Sequence, residues 1–325
     1  MKIKKQNIII SIFVLLLIIC LIAIPDVSIS ACLNGLVVWA TNILPALFPF
    51  FLFTKLLGEF GLITELSKYI SPFTKKLYNT SGISGYIYIM SIMSGYPVGA
   101  KLTSDLYEKK CIDIGEAHRI VSFTSTSGPL FILGTVAIGM FGNKTLGYTI
   151  LLSHFLGSLL NGILYRNYMI KQKSNLDTKI THTPSNNILE ESMIGSIKSI
   201  MIVGGYISIF FMIITIVNTF NIYNPILFLL SKISPNTPIK PIISVLNGII
   251  ELTRGCLDLS LCNLPIQTTA IILSGIISFG GISINLQALT FLKKMKINLK
   301  FYFLQKFTHT ILSMILAYIF GLIIL

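Results

Sequence analysis

The sequence predicts an all-α, polytopic transmembrane protein with inverted repeats and two re-entrant hairpins. Three observations lead to this fold class: the composition, the distribution of charge and two breaks inside membrane-length segments. Of the 325 residues, 53% are hydrophobic and only 11% are charged, and the mean hydropathy is +0.80. These values lie outside the range of soluble domains. Function is therefore expected within the bilayer.

The charged residues leave eight stretches of about 19 residues or more without any Asp, Glu, Lys or Arg. A helix needs about 20 apolar residues to cross a hydrocarbon core of about 30 Å, so each stretch is long enough to do so. The longest polar stretch, about 169–193, is too short to bury a core of its own. The uncharged stretches are residues 6–25, 27–54, 77–100, 120–143, 145–165, 199–231, 259–292 and 307–325.

The first segment combines Lys2, Lys4 and Lys5 with the apolar run 8–24. This pattern predicts an uncleaved transmembrane helix, because further membrane-length segments follow at once. A cleaved lipoprotein signal that ends near Cys32 is the alternative. Six further spans are expected, and their approximate bounds are 35–58, 116–140, 146–168, 194–219, 267–292 and 301–325.

The basic residues predict the orientation of these spans. Because lysine and arginine accumulate in cytoplasmic loops, the N-terminus is expected in the cytoplasm. The loops near Lys109 and Lys171 then lie inside, and those near Lys144 and Lys232 lie outside. The net charge of +13 is explained by this loop pattern, and no binding to nucleic acid is expected.

Two membrane-length segments contain breaks. Residues 83–100 are interrupted by Ser94–Gly99, where Pro and Gly disfavour a continuous helix, and 241–263 contains several charges. The order of span, surface helix, broken hairpin, span and span occurs twice with opposite orientation, which is typical of secondary transporters. Ordinary kinked spans are the alternative. The predicted divisions are an N-terminal helix and external loop (1–34), a first repeat (35–168), a cytoplasmic linker (169–193) and a second repeat (194–325).

The first hairpin supplies four candidate binding residues: Ser94, Gly95, Gly99 and Lys101. Non-helical backbone at membrane depth predicts a cavity. Free backbone N–H groups at the start of a half-helix near Ala100, together with Lys101, favour an anion. The alternative is that Lys101 extends to the cytoplasmic interface.

The second hairpin contains Glu251 and Arg254. An ionisable residue within a membrane segment indicates a substrate or proton site, because an isolated charge costs about 2.5–3.5 kcal/mol on insertion scales. The two residues are three positions apart, so a structural ion pair on one helical turn is the alternative.

Each hairpin is followed by a span with a cluster of small polar residues. These clusters are candidates for neutral hydrogen bonding to a substrate, and the alternative is that they only hold neighbouring helices together. The candidates are Thr124, Ser125 and Ser127 in the first cluster, and Gly280, Gly281, Ser283 and Asn285 in the second.

Enzymatic chemistry is not indicated. The chain has no H-E-x-x-H or G-x-S-x-G motif, and its five cysteines form no C-x-x-C pair. We therefore expect no catalytic residues, no metal site and no cofactor.

Three motifs, Ser94–Lys101, Ser127–Ile132 and Gly280–Ser283, resemble the YlbJ-type sporulation integral membrane proteins, also called SpoVV. The resemblance covers about residues 35–325. It implies a "nucleoside recognition" or Gate domain, similar in arrangement to concentrative nucleoside transporters, with a binding site between two hairpins and two broken helices. Relatives of this kind tend to have an amide near position 125, where this chain has Ser125.

The family's implied role is movement of dipicolinic acid, a small aromatic dicarboxylate, from the mother cell towards the forespore. The expected function is therefore transport of this anion across the cell membrane or the outer forespore membrane. Lys101 and Arg254 are expected to bind carboxylates, and Glu251 to couple transport to protons. Na⁺ as the coupling ion and a homo-oligomer stay open. A sporulation scaffold without transport and a transporter of a nucleoside-like solute are the alternatives.

Overall fold

The computed structural model describes residues 5–170, 187–233 and 237–325, and these ranges contain helices and turns but no strand. The predicted class, a polytopic helical membrane protein, is confirmed. Most of the predicted linker, residues 171–186, lies outside the described residues. Within the described ranges, five helical runs are long and apolar enough to cross a membrane: Pro25–Glu59, Lys144–Tyr165, Ile188–Thr219, Ile266–Met295 and Leu299–Ile324.

The N-terminal part is more helical than expected. Helix α1 (Lys5–Ala23) is followed by α2 (Pro25–Val38), and a π-helical turn, Trp39–Ile43, joins α2 to α3 (Leu44–Glu59). The prediction of an external loop within residues 26–34 is therefore wrong, because these residues lie in α2. Pro25 begins this helix, and its fixed φ and missing N–H suit the first helical position.

The chain then forms a short helix, a hairpin and an interrupted span. Helix α4 exposes Leu62, Leu66, Tyr69 and Phe73, whose spacing places them on one apolar face. The predicted span 116–140 is divided, since α7 ends at Thr124 and a π-helical segment follows at Phe131–Met140. The helices are α4 (Leu62–Tyr78), α5 (Ile83–Ser94), α6 (Val98–Glu108), α7 (Ile114–Thr124) and α8 (Lys144–Tyr165).

The rest of the chain has another hairpin and another interrupted span. The hairpin bends at Glu251, whose backbone is extended, and the span breaks at Gly280. The helices are α9 (Ile188–Thr219), α10 (Asn224–Ile233), α11 (Ile239–Ile250), α12 (Leu252–Ser260), α13 (Ile266–Phe279), α14 (Gly281–Leu292) and α15 (Leu299–Ile324).

Two apolar clusters hold the bundle together, and both contain residues from both halves of the chain. One includes Phe131 and Ile150 together with Phe211. The other includes Phe123 together with Leu292. Because neither half forms its core alone, the two halves pack into one body and bring their chain breaks close to each other.

Candidate functional site

A cavity of about 70 Å³, open on one side to the surroundings, lies where the two hairpin tips and the two interrupted spans meet. Apolar and aromatic side chains from residues 43–51 and from α9 complete its wall. Such a wall with a few polar groups is typical of small-molecule sites. The four interrupted elements contribute Ser94–Tyr96, Ser127 and Gly128, Glu251–Thr253, and Ser283, Ile284 and Gln287.

The first hairpin tip crosses the break in the first interrupted span at close range. Gly95 has φ of +70° and ψ of −166°, and a Cβ atom there would lie 2.6 Å from the backbone nitrogen of Gly128. A Cβ atom on Gly99 would overlap the carbonyl oxygen of Thr124. Both predicted glycines therefore permit close backbone approach, and Gly95 also lines the cavity.

His154 on α8 connects the two breaks. Its Nε2 atom accepts a hydrogen bond from the backbone N–H of Ser127 at 2.9 Å, and its Nδ1 atom lies 2.8 Å from the hydroxyl oxygen of Ser278. Because a backbone N–H can only donate, Nε2 must carry a free lone pair and Nδ1 must carry the proton. Ser127 thus lines the cavity, and the hydrogen bond from its backbone N–H to His154 fixes its position.

The second break uses its polar residues differently. Gly280 and Gly281 have φ of +82° and +67°. The Asn285 amide donates to the carbonyl oxygens of Phe279 at 3.0 Å and Gly281 at 2.7 Å, so it stabilises the break and lies outside the cavity wall. Ser283 does line the cavity, and its buried hydroxyl has no hydrogen-bond partner among the described residues.

Two candidates of the first polar cluster lie behind the cavity wall. The Thr124 hydroxyl donates to the carbonyl oxygen of Ile120 at 2.9 Å, which is a bond within α7. The hydroxyl oxygen of Ser125 accepts from Nζ of Lys306 at 3.4 Å. Of the three hydroxyl residues expected to contact substrate here, only Ser127 reaches the cavity.

Lys101 does not line the cavity. Helix α6 begins at Val98 rather than near Ala100, and the side chain of Lys101, on its second half-turn, is exposed. The structure therefore agrees with the alternative in which this side chain extends towards an interface, and a role in direct carboxylate binding is not supported.

Arg254 also points away from the cavity. Its Nε atom lies 2.8 Å from Oδ1 and 3.0 Å from Oδ2 of Asp258, and the residue lines a separate pocket with Asp26 on α2. The predicted pair with Glu251 is wrong. Oε2 of Glu251 instead accepts the backbone N–H of Arg254 at 2.6 Å and caps α12. The Arg254 guanidinium instead pairs with the carboxylate of Asp258, four residues further along the helix.

We expect the Arg254–Asp258 pair to be structural. Arg254→Gln and Asp258→Asn should each lower the free energy of unfolding by about 1–3 kcal/mol, because each leaves a partly buried charge unpaired. The double variant should recover most of this loss. Thermal unfolding in detergent measures the effect, with Lys232→Gln on exposed α10 as the control. A double variant as unstable as the sum of the single variants would contradict the pairing.

Lys306 and Tyr96 were not among the residues predicted to bind substrate. Lys306 is 2% exposed, and its Nζ donates to the hydroxyl oxygen of Tyr96 at 2.9 Å. Lys306 lies at the edge of the uncharged stretch 307–325, close to a series of loop lysines, so it resembles an interfacial charge. The signal available was the predicted span 301–325, which contains Lys306, and α15 begins at Leu299, so Lys306 lies two turns inside this helix.

The chain is similar to a known sporulation protein. The sporulation integral membrane protein YlbJ of Bacillus subtilis (strain 168) is 31% identical over 332 residues, which cover 93% of this chain and 80% of that protein. No protein-family model matches the chain, and no solved structure matches it.

Proposed function

The chain belongs to the family of the sporulation integral membrane protein YlbJ, and from this premise we propose that it transports a small anionic solute, dipicolinic acid, during endospore formation. One observation carries the proposal: two hairpin tips and two helix breaks surround a single cavity inside the bundle. Irregular backbone at membrane depth persists where it lines a cavity, and secondary transporters bind substrate between such elements.

The order of elements supports inverted repeats of the Gate type. A long helical run, a shorter helix, a hairpin, an interrupted span and an intact span occur in residues 25–165 and again in 188–324. His154 and His309 each lie ten residues after the first residue of their helices, and an asparagine caps each of these helices. These matches favour two repeats within 35–168 and 194–325, similar to concentrative nucleoside transporters.

The cavity wall suits an aromatic acid. Phe50, Phe131 and Tyr206 line it, and aromatic rings pack well against a planar ligand. Glu251 is 2% exposed and is the one ionisable carboxyl among the lining residues described. A protonated carboxyl donates a hydrogen bond to a carboxylate, whereas an ionised one repels it. A substrate carboxylate and a proton should therefore bind together.

The same carboxyl favours a second candidate, a neutral nucleoside-like solute. Among the described residues that line the cavity, Glu251 is the one acidic residue, and none is Lys or Arg. A neutral substrate with hydroxyl groups would need no counter-charge. A membrane scaffold, the remaining alternative, would need no cavity at all. If the substrate is the anion, we further propose that the protein lies in the outer forespore membrane with its N-terminus in the cytoplasm.

Uptake by the reconstituted protein tests the proposal. Proteoliposomes should accumulate labelled dipicolinate in a saturable manner, and an inwardly directed proton gradient should accelerate it. Excess unlabelled dipicolinate should compete, and uridine should not. Glu251→Gln should lose the response to the proton gradient, because an amide cannot carry the proton.

The matched control is Glu65→Gln, since Glu65 is exposed on α4 and pairs with Lys68. This variant should retain the proton response. Uptake of uridine without dipicolinate would favour the nucleoside-like solute. Uptake of neither solute above the level of empty liposomes would favour the scaffold.

A further inference from the structure

Lys306 is a buried lysine inside the bundle, two turns into α15, and it does not line the cavity. Its side chain extends from α15, and the residue is 2% exposed. A lysine near the centre of a membrane helix costs about 2.5–3.5 kcal/mol on insertion scales, and such residues usually mark ion or substrate pathways. This cost calls for a compensating interaction.

The contacts of Lys306 do not include a counter-ion. Its Nζ atom donates to the Tyr96 hydroxyl at 2.9 Å and to the Ser125 hydroxyl at 3.4 Å, and it lies 4.5 Å from the centroid of the Tyr96 ring. Among the described residues, no carboxylate forms an ion pair with Lys306 within 4 Å. Within the described part of the chain, the Nζ atom of Lys306 therefore contacts neutral groups.

Tyr96 lies between this charge and the cavity. The residue lines the cavity, and its hydroxyl donates to the carbonyl oxygens of Ile277 at 3.3 Å and Ser278 at 3.2 Å. Its oxygen is therefore free to accept from Lys306. The side chain of Tyr96 thus separates the Nζ atom of Lys306 from the cavity. In a low-dielectric interior, a positive charge on this atom would act strongly on an anion in the cavity.

The other basic candidates do not have this position. Lys101 is exposed, and Arg254 is neutralised by Asp258 in a separate pocket. We propose that Lys306 is the counter-charge of an anion subsite in the cavity and attracts one carboxylate of the substrate across the side chain of Tyr96, whose hydroxyl oxygen holds the ammonium group in place. This inference rests on the proposed transport of an anion. It assigns the charge recognition to α15 rather than to the hairpins.

The test compares an anion with a neutral molecule of the same shape. Purified full-length protein is titrated with dipicolinate and with pyridine-2,6-dicarboxamide, and ligand binding is measured by isothermal titration calorimetry. The wild type should prefer dipicolinate. Lys306→Gln should weaken dipicolinate binding by about 10- to 100-fold, as expected for loss of a charged hydrogen-bonding group. Binding of the dicarboxamide should change little.

Lys300→Gln is the matched control, because Lys300 lies on the same helix and is exposed. It should bind both ligands like the wild type. Equal losses for both ligands in Lys306→Gln, or an unchanged preference for dipicolinate, would overturn the subsite. If that variant does not fold, Tyr96→Phe decides: reduced preference for the anion supports the subsite and unchanged preference overturns it. A wild type that binds uridine or the dicarboxamide but not dipicolinate would overturn the proposed function as well.

Discussion

Replacing Gly95 by valine is expected to abolish transport while the protein still inserts into the membrane. The backbone of Gly95, with φ of +70° and ψ of −166°, lies in a region that only glycine adopts readily, and strain there costs about 1–3 kcal/mol. The new Cβ atom would also lie 2.6 Å from the backbone nitrogen of Gly128, where overpacking adds about 1–3 kcal/mol. Uptake by proteoliposomes measures the loss of transport, and thermal unfolding in detergent measures the loss of stability.

Gly99→Val should act in the same direction, because its side chain would overlap the carbonyl oxygen of Thr124. Gly205→Val is the control: Gly205 is exposed on α9, and a Cβ atom there meets no heavy atom within 4 Å. This variant should insert and transport like the wild type. Normal uptake by both hairpin variants would reject a tight crossing of the hairpin tip and the first break.

Replacing His154 by alanine is expected to destabilise both chain breaks together. The backbone N–H of Ser127 would lose its acceptor, and an unsatisfied buried donor costs about 1–3 kcal/mol. The hydroxyl of Ser278 would lose its partner as well, and the removed ring would leave a cavity that adds to the cost. We expect a lower unfolding temperature and a large loss of uptake.

His154→Gln should recover part of the stability, because a glutamine side-chain oxygen can reach the position of Nε2 and accept from Ser127. Tyr148→Ala serves as the control, since Tyr148 lies on the same helix and is 53% exposed. Its unfolding temperature should change little. An alanine variant at position 154 with wild-type stability would show that the two breaks do not depend on this bridge.

Several features of the candidate site were predictable because they depend on local sequence. Pro and Gly between Ser94 and Gly99 predict a helix break wherever the segment lies, and the break is at Gly95–Pro97. The second interruption follows the family resemblance, which implies a broken helix around Gly280, and the φ of Gly280 is positive. The sequence also identified Glu251, because a carboxyl between apolar residues stands out. Each of these residues lies at the cavity or beside it.

The wrong predictions concern the directions in which charged side chains point and the residues with which they pair. Glu251 and Arg254 are correctly spaced for an ion pair, but Asp258 lies at i+4 and takes the guanidinium instead. Lys101 lies beside a helix break, yet its side chain is exposed on the other face of α6. A helix places successive side chains about 100° apart, so a shift of one or two positions moves a residue out of a site.

The sequence by itself determined the membrane class, the helical content, the positions of the chain breaks and the resemblance to the family to which the chain belongs. These features follow from composition, charge-free length and the backbone preferences of Gly and Pro, which act over a few residues. The tertiary structure alone decided which polar groups meet. Tyr96 and Lys306 are separated by 210 residues and His154 and Ser278 by 124, and only the packing of whole helices brings such groups into contact.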